Sequence, residues 1–133
     1  DFKKLFNKKP KIAILGLNPH CETIDKFNED DKIIKPSIKH LVQNKINVTG
    51  PHSADTIFLK ANRKKFDVIV GMYHDQVLTP FKSLFHYDAI NITLGLDYIR
   101  VSPDHGPAID LIKKNKASSL SLLKCIKFIN NLN

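Results

Sequence analysis

At 133 residues the chain has the length of one ordinary domain and can bury a core of its own. No apolar run approaches the roughly eighteen residues that span a bilayer, no charged-then-apolar leader is present, and Cys21 and Cys125 form neither a CxxC pair nor a disulfide framework. The net charge of +8 raises nucleic acid as a partner, but the lysines are scattered over "KKLFNKKPK", "KANRKKF" and "IKKNK" without aromatic interleaving, and only Arg63 and Arg100 are arginine.

A soluble, cytoplasmic protein with no nucleic-acid and no membrane partner is therefore expected, its charge a compositional bias. The chain opens on Asp1, and "DFKKLFNKKP" reads as an incoming segment, so a fragment of a longer protein is expected. "KIAILGL" follows as a short apolar run with the pattern of a strand buried on both faces. The acidic "CETIDKFNEDDKII" reads as a loop, and the spacing of Ile34, Ile38, Leu41 and Val42 predicts a helix that tolerates Pro36 only in its first turn. "KINVTGP" reads as a strand, and "SADTIFLKANRKKF" as one helix capped by Ser53 or Asp55.

"FDVIVGM" is a second buried strand, and "VLTPFKSLF" a short helical piece. The strand "AINITLGL", the extended "YIRVSP", a helix over "PAIDLIKKNKA" and a last helix with Leu122, Ile126 and Ile129 on one face complete the chain. Strands alternating with helices predict an α/β architecture with a largely parallel or mixed sheet. In such sheets ligands bind past the carboxyl ends of the strands, where "NPH" and "YHDQ" fall.

The polar residues at these places carry the chemistry. His74, Asp75 and Gln76 leave an apolar strand side by side, where they either cap a neighbour or handle a ligand, because burying them unpaired is costly. His20 and His74 each follow a strand, so they are either two metal ligands from separate elements, with Asp75 as orienting group or general base, or histidines bonded to loop backbone. His40 and His86 read as surface residues. Lys82, Asn91 and Arg100 follow on successive elements and describe an anion site, most simply for phosphate, although Lys82 taken alone reads as a solvated lysine. Asn91 interrupts an apolar strand, which argues for a role. "SPDHGPAIDL" places Asp104, His105 and Gly106 before a predicted helix, as a phosphate- or base-binding loop or as an ordinary turn.

In order and spacing, "LNPH", "GPHSADTIF", "MYHDQ…K", "NITLGL" and "IRVSPDHG" resemble the carboxyl-terminal portion of the 4-hydroxythreonine-4-phosphate dehydrogenase family, NAD-dependent enzymes of vitamin B6 synthesis. The resemblance runs from about Lys11 to the end. It implies part of a two-domain fold like that of isocitrate and isopropylmalate dehydrogenases. Residues 1–81 would be the second half of the metal and dimerisation domain, and 82–133 the closing part of the cofactor-side domain.

By resemblance, His20 and His74 match two of three histidines that bind a divalent cation (zinc, magnesium or cobalt), the third lying upstream. Asp55 and Asp75 match acidic residues near the metal that take part in proton transfer. Lys82, Asn91 and Arg100 match substrate-binding positions, and His105 and Gly106 the loop that approaches the adenosine part of NAD. The family is homodimeric, with metal histidines from both subunits. The implied reaction oxidises and decarboxylates 4-phosphohydroxy-L-threonine to 3-amino-2-oxopropyl phosphate. A dehydrogenase of another four-carbon phosphorylated hydroxy acid and a non-catalytic anion-binding relative are the rival readings. Two stretches depart from the family pattern: the run after "NPH" has no glycine, and "IDLIKKNKA" lacks one after the helix-opening motif.

Overall fold

The computed structural model describes residues 2–21 and 28–132. They fall into two compact units, Asn7–Phe81 and a second composed of Phe2–Phe6 with residues 82–132.

In the first unit, β1 (Ile12–Leu15), β2 (Val48–His52) and β3 (Val68–Val70) form a parallel sheet in the order β2-β1-β3. Ile12 lies opposite both Val48 and Val68, and Ala13 opposite Thr49 and Ile69. The period-two alternation of β1 explains why it is apolar throughout. Ala13 and Leu15, both 0% exposed, pack with Ile57, Phe58, Phe66, Ile69 and Val77. Ile34, Ile38 and Val48 form the other cluster, against which Ile12, Ile14, Leu41 and Met72 pack. Complete burial of a leucine contributes about 2 kcal/mol.

The helices of this unit differ from expectation in two places. The end of the acidic stretch is helical: Asp30–Ile34 forms a π turn in which the Lys35 N–H bonds to the Asp30 carbonyl, and it runs straight into α2 (Lys35–Gln43). Pro36, in the first turn of α2, has no N–H to continue the ladder, and the turn before it is widened. The single helix expected over 53–66 is split into α3 (Ala54–Ile57) and α4 (Lys60–Arg63). Leu59 is extended between them, and the Asn62 side chain donates to the Thr56 carbonyl at 3.0 Å, competing with a continuous helix. Neither Ser53 nor Asp55 caps α3 through its side chain. The glycine-free segment 22–27 lies outside the described residues.

A further helix, α5 (His74–Phe85), contains the division between the units, which falls between Phe81 and Lys82. In the second unit β4 (Ile90–Thr93) and β5 (Arg100–Pro103) form an antiparallel ribbon, with Asn91 opposite Ser102 and Thr93 opposite Arg100. The last helix, α6 (Leu120–Asn130), packs on both strands, and the Phe128 ring lies 6.0 Å from the ring of Phe6 in α1 (Phe2–Phe6).

One expectation fails here. Residues 107–117 form only a 3-10 turn at Ile109–Leu111. Ala108, Lys113 and Asn115 have positive φ, and Ile109 and Ile112 are 70% and 62% exposed, so no apolar face is buried to hold a helix together. In α6 the face carrying Leu122, Ile126 and Ile129 is exposed, and Ser121 and Cys125 are the buried residues. Small side chains let the helix approach the ribbon, and the serine bonds to it. A parallel sheet with its helices and a helix-backed ribbon make up the α/β class expected. Among the described residues no helix is long and apolar enough to cross a membrane.

Candidate active site

Because β1, β2 and β3 are parallel, their carboxyl ends lie at one edge of the sheet. The order β2-β1-β3 sends the chain first to one side of β1 and then to the other, which makes the space between the ends of β1 and β3 a topological switch point. His20 lies on the loop after β1, Asp55 in the first turn of α3 after β2, and His74 and Asp75 open α5 after β3.

His74 and Asp75 are thus the first residues of a helix rather than a loop before one. His74 Nδ1 lies 2.7 Å from Asp75 Oδ1, with 77% and 79% of the two side chains exposed. When that nitrogen carries the proton, Nε2 keeps its lone pair for a cation. The ring is partnered by a carboxylate, not by loop backbone. Around His20 the loop is tied on itself, the His20 N–H donating to Asn18 Oδ1 at 3.1 Å.

Ser53 joins the His20 loop to Asp55. Its hydroxyl lies 2.6 Å from the Pro19 carbonyl and 2.5 Å from Asp55 Oδ1, and its one proton serves one of them at a time. The Ser53 hydroxyl holds the exposed Asp55 carboxyl below the usual carboxylate value, and the neighbouring His20 imidazole adds to that effect. Asp55 is therefore a carboxylate at neutral pH. Two imidazoles and two carboxylates suit a divalent cation, but among the described residues no group of three or more His, Cys, Asp or Glu is assembled to hold one. The edge is an incomplete donor set.

The second unit carries the other candidates. Lys82 is engaged by the chain itself: its ammonium lies 2.6 Å from the Asp104 carbonyl and 2.7 Å from Asp104 Oδ2. Asp104 is fixed in turn by Ser121, whose hydroxyl accepts the Asp104 N–H at 2.8 Å and donates to the Ala89 carbonyl at 2.5 Å. Asn91, expected to be a costly polar group within a strand, is exposed on the open face of the ribbon and costs little there. By alternation it shares that face with Thr93, Ser102 and Arg100. Arg100 donates from its guanidinium to Thr93 Oγ1 at 2.8 Å. His105 and Gly106 are exposed and line a cavity of about 570 Å³ with Tyr87, Asp110 and Lys116, within the range of small-molecule sites. A Cβ on Gly106 would meet nothing within 4 Å, so the backbone there is open to a close approach. His40 and His86 are exposed, as expected.

The sequence did not single out Ser53 as a link, Ser121 as an anchor, or the buried Asp30, which binds backbone at the end of β1. For Ser121 and Asp30 the only signal was a polar residue at a position that turns out to be buried, and Ser53 was legible only as a possible helix cap.

Residues 1–129 match the family model described as pyridoxal phosphate biosynthetic protein PdxA. The chain is 48% identical over 130 residues to the 4-hydroxythreonine-4-phosphate dehydrogenase of Sulfurihydrogenibium sp. (strain YO3AOP1), covering 96% of this chain and 39% of the relative. It is 41% identical over 131 residues to the D-threonate 4-phosphate dehydrogenase of Salmonella typhimurium, covering 98% and 40%. The solved structure of 4-hydroxythreonine-4-phosphate dehydrogenase from Klebsiella pneumoniae aligns with a TM-score of 0.77 at 38% identity, over 95% of this chain and 38% of that one. The chain thus spans about two fifths of the length of these relatives. With a parallel-sheet edge bearing His20, Asp55 and His74 and a family match over nearly its whole length, the chain belongs to the PdxA family of pyridoxal phosphate biosynthetic proteins.

Proposed function

We propose that this chain supplies part of the active site of a metal- and NAD-dependent dehydrogenase that converts 4-phosphohydroxy-L-threonine to 3-amino-2-oxopropyl phosphate in pyridoxal phosphate synthesis. The observation that supports this most is the gathering of His20, Asp55, His74 and Asp75 at one sheet edge, beside its switch point. Zinc, cobalt or magnesium is the cation of this reading, imidazole donors favouring the first two. His20 and His74 bind it, and donors from a partner subunit and from polypeptide beyond this chain complete the set.

A cation held by His20 and His74 would supply Lewis acidity toward the substrate hydroxyl. Asp55, kept anionic by Ser53, would accept the hydroxyl proton, with NAD as the hydride acceptor of this reading, and Asp75 orients the His74 ring. Loss of carbon dioxide follows from the 3-oxo acid so formed. Lys82 and Arg100 hold the phosphate, and Asn91 adds a neutral contact. An ammonium has three N–H groups, of which one bonds to the Asp104 carbonyl while Asp104 Oδ2 pairs with the charge, so the lysine keeps donors for a phosphate oxygen. His105 and Gly106 contact the adenosine part of NAD at the cavity they line. In this reading residues 7–81 belong to the metal and dimerisation domain, and residues 82–132, with Phe2–Phe6 in the same unit rather than in the expected span 1–81, to the cofactor side, in a cytoplasmic homodimer.

A second reading, oxidation of D-threonate 4-phosphate, is favoured by the Salmonella typhimurium relative of that name. The same phosphate-holding set serves both acids.

A hybrid tests the proposal: this chain replaces the matching 39% of the Sulfurihydrogenibium relative. Divalent-dependent reduction of NAD with 4-phosphohydroxy-L-threonine is expected, and Arg100→Ala is expected to raise KM for the phosphorylated acid. Preference for D-threonate 4-phosphate selects the second reading. Turnover insensitive to chelation sinks the metal assignment, and a folded hybrid that binds neither cation nor NAD points to a non-catalytic relative.

A further inference from the structure

The two imidazoles at the sheet edge sit on different chain segments, one after β1 and one after β3. A cation shared between them needs those segments held at a fixed separation. Gln76 spans them. It is 7% exposed, its side-chain N–H donates to the Gly16 carbonyl at 2.7 Å, and its side-chain oxygen accepts the Met72 N–H at 2.8 Å. One amide thus ties the residue that follows β1 to the turn that follows β3, using both of its polar ends.

The Gly16 end of this tie is itself fixed. The Gly16 N–H donates to the His52 carbonyl at the end of β2 at 3.0 Å. Just beyond it, Asp30, 1% exposed, accepts the Leu17 N–H at 2.8 Å on Oδ1 and the Asn18 N–H at 2.9 Å on Oδ2. Both strand exits are glycines with no room for a side chain. A Cβ on Gly16 would stand 2.9 Å from Asp30 Oδ1 and 2.8 Å from Cys21 Sγ, and one on Gly71 would stand 2.5 Å from Val77 Cγ1. An apolar side chain of similar volume would fill the site of Gln76 but could not make either bond, so the amide does more than pack.

We infer that Gln76 is a positioning residue: through its bonds to Gly16 and Met72 it sets the separation of His20 and His74 and thereby the cation affinity of this edge. The inference rests on the reading of those two histidines as metal ligands, and it adds a residue that touches neither cation nor substrate.

Titration of the hybrid dehydrogenase carrying this chain with cobalt(II) chloride by calorimetry tests it, with Gln76→Met, Gln76→Glu, His20→Ala, His74→Ala and, as a packing control that leaves both amide bonds in place, Ile38→Val. Gln76→Met is expected to weaken cobalt binding by about tenfold or more, the usual effect of removing a group that orients a ligand. Ile38→Val is expected to lower the urea midpoint but leave cobalt affinity unchanged, which separates positioning from stability. Gln76→Glu retains an acceptor for the Met72 N–H and loses the donor to Gly16. It is expected to keep Met72 protected in amide exchange while sharing the cobalt defect. Cobalt affinity unchanged in Gln76→Met, alongside its loss in His20→Ala and His74→Ala, overturns the inference and leaves the cation reading standing. Unchanged affinity in the two histidine variants overturns both.

Discussion

The two units place their polar residues by different means. In Asn7–Phe81 a central strand is covered on both faces, Ala13 and Leu15 are fully buried, and the loops leaving the three strands are bonded to one another through Gly16, His52, Asp30 and Gln76. In the second unit a two-stranded ribbon has one helix behind it and an open polar face in front, and Leu122, Ile126 and Ile129 of that helix are exposed. The cation candidates of the first unit are therefore set by a closed core. The anion candidates of the second unit depend on one buried hydroxyl and one ion pair.

This difference is open to measurement, the largest effect coming from the closed core. Leu15→Ala is expected to cost about 3 kcal/mol, whereas Leu122→Ala is expected to stay within about 0.5 kcal/mol. Urea unfolding of the two variants compares them, and equal losses would erase the contrast. Next is the anchor of the open unit. Ser121→Ala leaves the Asp104 N–H and the Ala89 carbonyl without their partner, at a cost of about 1–2 kcal/mol. Faster amide exchange at Asp104 checks that the loss is local, and an unchanged exchange rate would show that Ser121 does not fix Asp104.

The smallest effect is one of pH. His52 packs edge-on to Phe66 at 5.2 Å, and burial pushes its imidazole below the ordinary histidine value. As pH falls below about 6.5 the unfolded chain takes up that proton first. Stability is therefore full above that pH and declines as pH drops toward the lower folded value. His52→Phe is expected to flatten this decline between pH 7.5 and pH 5.5 in urea titrations, and an unchanged slope would assign the decline to other groups.

What could be read from the sequence follows the range of the interactions. His20 and His74 were placed past strand ends because a strand buried on both faces shows as an apolar run and a parallel sheet gathers its ends at one edge. Gln76 was visible as a polar residue beside His74, but its partner Gly16 is sixty positions away, so no local pattern shows the bond. Asp30 was hidden for the same reason, within a stretch read as loop. The helix expected over residues 107–117 has adequate local composition and fails for want of a surface to pack on, while the shared face of Leu122, Ile126 and Ile129 on α6 is legible from spacing but its exposure is not. Propensity fixed element type where packing agreed with it, and tertiary contacts decided elsewhere.

The most direct test of the central claim is NADH formation by the hybrid carrying this chain, measured with cobalt(II) and 4-phosphohydroxy-L-threonine, in the parent and in His20→Ala and His74→Ala. Cobalt-dependent turnover in the parent, with loss to background in both variants that added cobalt does not restore, is the result predicted. Turnover that survives either substitution with its cobalt dependence unchanged would contradict it.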